Sequence, residues 1–132
     1  MYLLLAGSSP TARALVTDTF LGGHPDWKHL ALEDIFDEEP DEEDVLGMKQ
    51  TFMTMIACQC AKDARSAGAH IIITCPSPAM IDGVRGEIPE QIVTVHLGAV
   101  RGADGFDHII DTRRKSARQT SEALDGILRM KD

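Results

Sequence analysis

The chain is poor in cysteine and in positive charge, and it has no long apolar run. Its three cysteines are too few, and odd in number, for a disulfide framework, and they indicate a reducing compartment. Lysine and arginine total 13 against 21 acidic residues, and the net charge of -8 argues against nucleic-acid or anionic-membrane binding. No apolar run approaches the roughly 20 residues that span a bilayer. We therefore expect a cytoplasmic protein.

What is present is an alternation of short apolar runs with longer amphipathic ones. The 132 residues suit a single domain, 1–132. Strands are predicted at 2–6, 28–34, 70–75, 91–98 and 106–111, and helices at 11–21, 42–67, within 75–85, and at 116–130. Parallel strands need crossovers, usually helical, so this order predicts an α/β fold, a three-layer α/β/α sandwich with a mostly parallel sheet of about five strands.

Several residues mark the helices more finely. Gly22 and Gly23 should end the first helix, Gly68 should cap the second long helix, and Ser116 should be the N-cap of the last. In the last helix the predicted buried face consists of Ala117, Thr120, Ala123, Leu124, Ile127 and Leu128. In the helix 42–67 an apolar stripe is expected to face the sheet, formed by Val45, Met48, Phe52, Met55 and Ile56.

The stretch LLLAGSSPTARALV, residues 3–16, is typical of a strand that passes through a turn of small residues into a helix. In parallel α/β sheets, ligands gather outside the carboxyl ends of the strands. That rule points to residues 7–13, 33–34 and 74–77, and to the segment after Leu97.

A phosphate-binding loop has the motif G-x-x-x-x-G-K-[ST], in which amides surround a phosphate, the lysine reaches its oxygens and the hydroxyl binds magnesium. Aligned on Gly7, this chain has Ala12, Arg13 and Ala14 at the last three motif positions. Arg13 keeps a charge suited to phosphate, but Ala14 offers magnesium no oxygen and Pro10 removes an amide donor. Unless Thr11, Ser8 or Ser9 replaces that oxygen, metal-assisted transfer from ATP should be weak, whereas the helix N-terminus still favours phosphate or sulfate. The alternative interpretation is an ordinary strand-to-helix turn.

The order of elements resembles the P-loop kinase-like group. The resemblance is carried by that turn, by LALEDI after the second strand, by AGAHIIITCPSP, and by the closing HIIDTRRKSARQTSEALDGIL. The adenylylsulfate kinase and small nucleoside or nucleotide kinase branches look closest. The resemblance implies a P-loop NTPase-like fold with ATP or another nucleotide as the cofactor, and Mg only if phosphate transfer is retained.

The resemblance also implies a set of site residues. The cofactor-binding positions are Gly7, Ser8, Ser9, Thr11, Ala12, Arg13, Arg113 and Arg114. The last two follow the final strand, where the group places a loop beside the adenine; a solvated basic turn is the alternative. Glu33 or Asp34 looks placed as a catalytic base or metal contact, and a helix cap or a solvated acid is the alternative there.

The remaining chemistry-bearing residues give weaker signals. Cys58 and Cys60 lie two apart on a helix and so do not share a face, which argues against a shared metal. Cys75 is either a buried structural cysteine or a reactive thiol near a pocket. The third strand ends in Thr74 and Cys75, where an active P-loop ATPase often has an aspartate for magnesium. The five histidines lack metal-ligand spacing, and no metal site is predicted.

Two functional hypotheses follow. The first is a degenerate P-loop kinase-like protein without efficient phosphotransfer, which binds an anion, a nucleotide or a phosphate-bearing small molecule, or regulates a protein partner. The alternative is a small-molecule kinase with an atypical loop, in which Arg13 is the phosphate cation and Glu33 or Asp34 the base or metal ligand. A plain α/β protein, similar to kinases by accident, is a third.

Overall fold

The computed structural model describes residues 1–7, 9–32, 48–75, 81–98 and 105–131. The strands are β1 (Tyr2–Gly7), β2 (Trp27–Ala31), β3 (His70–Thr74), β4 (Ile92–Leu97) and β5 (His108–Ile110). The helices of the described ranges are α1 (Pro10–Gly22), α2 (Met48–Ser66), α3 (Ile81–Glu87) and α4 (Ala117–Lys131). The predicted alternation of strands and helices is confirmed.

The strands form one parallel sheet in the order β2-β3-β1-β4-β5. Helices α1 and α4 cover one face, where Val16, Phe20, Leu124 and Leu128 pack on the sheet. Helices α2 and α3 cover the other face, α2 through small side chains such as Ala57 and α3 through Ile81 and Val84. The predicted three-layer sandwich is therefore confirmed.

Strand β1 lies at the centre of the sheet and of the core. Tyr2, Leu4 and Ala6 pack on the α2 and α3 side, while Leu3 and Leu5 pack on the α1 and α4 side. All five are buried, since both faces of β1 are covered and both of its edges are paired. This explains why the run reads as continuously apolar rather than alternating.

The predicted helix ends are also confirmed. Gly23 caps α1, and its amide donates to carbonyls of the last helical turn. Gly68 has a φ of 101° just beyond α2, a conformation that favours glycine. Ser116 caps α4: its Oγ accepts from the Gln119 amide at 3.1 Å, and Gln119 Oε1 accepts from the Ser116 amide at 2.9 Å. This reciprocal pair is a capping box.

The prediction for the stripe of α2 is wrong. Phe52, Met55 and Ile56 are 58%, 43% and 48% exposed, and the face that packs on the sheet carries Ala57, Cys58 and Ala61 instead. Small side chains let the helix axis approach the sheet closely, so the large apolar residues lie on the opposite side of α2. Val45 lies outside the described residues, as does the side chain of Met48.

This arrangement predicts unequal costs for two large-to-small substitutions. Phe52→Ala should change the free energy of unfolding by less than about 1 kcal/mol, because the ring is mostly exposed already. Leu5→Ala should cost about 2–5 kcal/mol, because it leaves a cavity in the core. Urea unfolding of both variants measures the difference, and equal losses would contradict the assignment of faces.

Candidate functional site

The strand-to-helix turn lies at the carboxyl end of β1, in the middle of the sheet. The chain passes from β1 to β2 on one side of β1, and later from β3 to β4 on its other side, so β1 borders the point where the strand order reverses. Open α/β sheets bind ligands at such points. Gly7 ends β1 and Pro10 begins α1, so the predicted strand-to-helix turn is confirmed, and a ligand site there stays a prediction.

Gly7 is required by the geometry of the turn. Its φ is 85°, and a Cβ there would lie 2.4 Å from the Leu97 carbonyl oxygen and 2.8 Å from His96 Nε2. The first contact is with backbone and cannot be relieved by a side-chain rotation. The end of β1 therefore approaches β4 so closely that a side chain at residue 7 is excluded.

Alanine substitution at two glycines should have opposite effects. Gly7→Ala should destabilise the protein by about 1–3 kcal/mol or more, because it combines an unfavourable φ with overlap on the Leu97 carbonyl. Gly126→Ala, inside α4 with nothing within 4 Å of the added methyl, should stabilise by about 0.5–1 kcal/mol. Thermal or urea unfolding measures both, and a neutral Gly7→Ala would contradict this geometry.

The turn leaves few amides for an anion. Ser9 is the N-cap of α1, and its Oγ accepts from the Ala12 amide at 3.1 Å. The Arg13 amide donates to the Ser9 carbonyl at 3.0 Å, and Pro10 has no amide hydrogen. Among the described residues of this first turn, Thr11 is left to offer an amide to a ligand. The phosphate-binding motif has a loop of four residues between its two glycines. Here the loop is shorter, since α1 already starts at Pro10, three residues after Gly7.

The side chain of Arg13 turns into the protein. Arg13 is 2% exposed, and its Nη1 donates to the Gly7 carbonyl oxygen at 2.8 Å. The guanidinium thus binds the same residue that opens the turn, on the α1 side of the sheet. A lysine in the motif instead reaches phosphate oxygens. That Arg13 contacts a phosphate stays a prediction, and the structure places its charge beneath the turn.

The end of β3 carries neutral groups. Thr74 is buried, and its Oγ1 lies 2.8 Å from His29 Nε2 on β2. Cys75 is also buried, which favours its interpretation as a structural cysteine. A carboxylate that would bind magnesium is absent from this end of β3 as far as residue 75, where the described part of the segment stops.

His96 is the residue of this region that sequence reasoning missed. It lies one residue before the end of β4, is 6% exposed, and is paired in register with Ala6 of β1. Its ring meets the edge of Phe106 with centroids 5.2 Å apart. Burial lowers the pKa of His96, which keeps the imidazole neutral at pH 7. The one signal in the sequence that pointed to His96 was the presence of a histidine near the carboxyl end of a buried strand.

The two arginines predicted beside the adenine lie past the end of β5. A cavity of about 540 Å³ there is lined by Asp111, Arg113, Arg114 and Lys115 among the described residues. Arg113 is largely committed to Asp111, with Nη2 to Oδ2 at 2.6 Å and Nε to Oδ1 at 2.9 Å. These hydrogen bonds hold the pKa of Asp111 well below its usual range. Arg114 is exposed, so it is the more accessible arginine.

Several predicted positions lie outside the described residues. Ser8, Glu33 and Asp34 are among them, so the catalytic predictions for the two acids stay predictions. Within the described ranges, no group of three or more His, Cys, Asp or Glu side chains could bind a metal ion. In the same ranges, no helix combines the length and apolar character needed to cross a membrane.

The cysteines of α2 differ in accessibility, as their spacing predicted. Cys60 is exposed and Cys58 is buried, and burial raises the pKa of the Cys58 thiol to about 11. We expect an aromatic disulfide reagent at pH 8 to label Cys60 rapidly in the native protein. Cys58 and Cys75 should react only as fast as the chain unfolds. Mass spectrometry of timed samples checks this, and rapid native labelling of Cys58 would contradict the packing of α2.

The fold is shared with kinases of known structure. APS kinase from Mycobacterium tuberculosis superposes with a TM-score of 0.70 at 10% identity, covering 97% of each chain. A Deinococcus radiodurans tunicamycin resistance protein gives 0.69 at 10% identity, covering 96% of this chain and 94% of that one. Shikimate kinase from Acinetobacter baumannii in complex with shikimate gives 0.64 at 9% identity, covering 99% and 94%.

These likenesses define the class of the protein at the level of fold. No protein-family model matches the chain, and neither does any curated protein sequence. The five-stranded parallel sheet and its helices have a P-loop kinase-like fold over nearly the whole chain. The resemblance inferred from the order of elements is confirmed as a resemblance of fold.

Proposed function

We propose that this chain is a P-loop-fold protein that has lost efficient phosphoryl transfer and binds a phosphate-bearing small molecule, such as a nucleotide, in a binding or regulatory role. One observation carries the proposal: Arg13, which stands where the motif has lysine, is buried and hydrogen-bonded to the Gly7 carbonyl. A guanidinium used in this way does not extend over the turn toward a transferred phosphoryl group.

The other departures support the same conclusion. Ala14 has no oxygen with which to bind magnesium, and the described end of β3 has no carboxylate to replace it. Magnesium neutralises the charge that develops on the phosphoryl group, and a site without it loses much of its means of catalysis. Ser9 also occupies an amide of the first turn.

Some capacity to bind anions remains at the turn. The N-terminus of a helix of 13 residues carries a partial positive charge, and the Thr11 amide lies in its first turn. These groups favour an oxyanion without requiring a metal.

The expected partner is therefore a phosphate-bearing small molecule, or a protein that the chain regulates. The acidic composition supports the predictions of no nucleic-acid partner and no membrane partner. A cytoplasmic location also stays a prediction, supported by the low cysteine content.

A nucleotide titration with and without magnesium tests this proposal. ATP should raise the melting temperature equally in magnesium and in EDTA, because Ala14 has no oxygen for magnesium and the described end of β3 has no carboxylate. A ligand at a hundred times its Kd stabilises by about 2.7 kcal/mol, which is several degrees for a chain of this size. Differential scanning fluorimetry measures the shift, with sodium chloride at matched ionic strength as the control.

Two results would contradict the proposal. A shift that requires both ATP and magnesium, together with release of ADP in the presence of small-molecule acceptors, would favour the kinase alternative with Glu33 or Asp34 as base or metal ligand. The absence of any shift with ATP, AMP or inorganic phosphate would contradict the binding role. Arg129→Ala is a control for Arg13→Met, because Arg129 is an exposed arginine near the end of α4 and belongs to no predicted site.

A further inference from the structure

Helix α2 carries an exposed apolar patch on the side turned away from the sheet. The patch consists of Phe52, Met55, Ile56 and Cys60, which recur at the three- and four-residue spacing of one helical face. The first three side chains are 58%, 43% and 48% exposed, and Cys60 is exposed as well. We call these four residues the outer patch.

The other large apolar side chains that are exposed among the described residues lie apart from one another. Leu15 is on α1, Ile109 is on β5 and Met130 is near the end of α4, whereas the outer patch occupies about two turns of one helix. Single exposed apolar residues are ordinary, but a contiguous apolar patch marks a surface that binds another molecule. The charges at its ends indicate which molecule fits it.

These end charges are opposite in sign. Lys49 precedes Ile56 by seven positions and Asp63 follows it by seven, so the three positions share one face of α2. Asp63 is exposed, and its Oδ1 accepts from Gln59 Nε2 at 3.0 Å. When a second α2 runs antiparallel to the first, position 49 of each helix faces position 63 of the other, and Ile56 faces Ile56. The face is therefore complementary to its own reverse.

We propose that two copies of this chain form a dimer through the outer patch, with their α2 helices antiparallel around a two-fold axis at Ile56. A two-fold interface uses the same surface on both subunits, so it requires a surface that is complementary to itself. A partner of different sequence would not require this order of charges. The dimer does not depend on the proposed function, because neither Gly7 nor Arg13 belongs to α2.

The size of the outer patch predicts a weak dimer. Positions 49–63 span about 21 Å of helix, and the exposed apolar side chains offer on the order of 300 Å² per copy. Stable interfaces bury about 1,200–2,000 Å² in total, and smaller ones are typical of transient association. Each chain also has a net charge of -8, and salt screens the resulting repulsion beyond about 8 Å at physiological ionic strength. We expect a Kd between about 10 μM and 1 mM.

Sedimentation equilibrium of the full chain, from about 5 to about 500 μM at physiological ionic strength, measures this association. The apparent mass should rise with concentration from that of the monomer toward that of the dimer. Phe52→Ala should weaken the dimer by about tenfold or more, because it removes the aromatic ring of the patch. Leu15→Ala is the matched control, since Leu15 is 57% exposed on α1 and should leave the association unchanged.

Charge reversals test the antiparallel pairing. Asp63→Lys places lysine opposite lysine, and Lys49→Asp places aspartate opposite aspartate, so each single variant should weaken the dimer several-fold. The double variant, Lys49→Asp with Asp63→Lys, restores opposite charges and should recover most of the wild-type affinity. Parallel helices would not give this recovery, because each position would then face its own copy.

A cysteine on the two-fold axis gives a direct readout. Ile56→Cys in a Cys60→Ser background should form a disulfide-linked dimer on mild oxidation with copper phenanthroline, because residue 56 faces its own copy. Ile109→Cys in the same background is the control, since Ile109 is 42% exposed on β5 and should stay monomeric. Cys58 and Cys75 are buried in both variants.

Several outcomes would overturn the proposal. A wild-type chain that stays monomeric at about 500 μM would do so, and the outer patch would then fit a different protein. A dimer that is insensitive to Phe52→Ala, or that forms no disulfide at residue 56, would be built on another surface. A double charge variant that folds but recovers no affinity would exclude the antiparallel pairing. The wild-type sedimentation result stands whether or not any variant folds.

Discussion

The hydrogen bond between Arg13 and Gly7 determines what the turn at the centre of this sheet can do. It joins the first turn of α1 to the last residue of β1, and it uses a charged donor to satisfy a backbone carbonyl within the protein. Hydrogen bonds that involve charged groups contribute about 1.5–3 kcal/mol to stability. Removing one partner leaves a buried charge or a buried carbonyl without a hydrogen bond, which destabilises the folded state. Under the proposed function, this bond keeps the Arg13 guanidinium within the protein, where it does not take the part of the motif's lysine in phosphoryl transfer.

Most of the fold could be predicted because its periodicity and its burial agree. The runs 2–6 and 70–75 are continuously apolar because β1 and β3 are covered on both faces, and Leu124 and Leu128 share a face of α4 that packs on the sheet. The prediction of the buried stripe of α2 was wrong for a physical reason. The contact with the sheet is made by alanines and Cys58, because a close helix-to-sheet contact does not admit large side chains. A prediction from hydrophobic spacing gives most weight to those large side chains.

The strand-to-helix turn could be predicted, whereas the contacts of its side chains could not. The spacing of Gly7, a short turn and a helix predicted the turn, since strand ends and helix starts are local features. The meeting of Gly7 with His96 depends on the pairing of β1 with β4, which joins residues 90 positions apart in the chain. Such contacts leave no local signal in the sequence.

The most direct measurement of the central claim is nitrogen-15 NMR of the Arg13 guanidinium, with and without ATP and magnesium. We predict a slowly exchanging Nη1–H signal, coupled through the hydrogen bond to the Gly7 carbonyl carbon and unchanged when magnesium is added to the ATP-containing sample. Loss of that coupling, with a saturable shift that requires both ATP and magnesium, would contradict the account, because Arg13 would then leave Gly7 to bind the nucleotide phosphates.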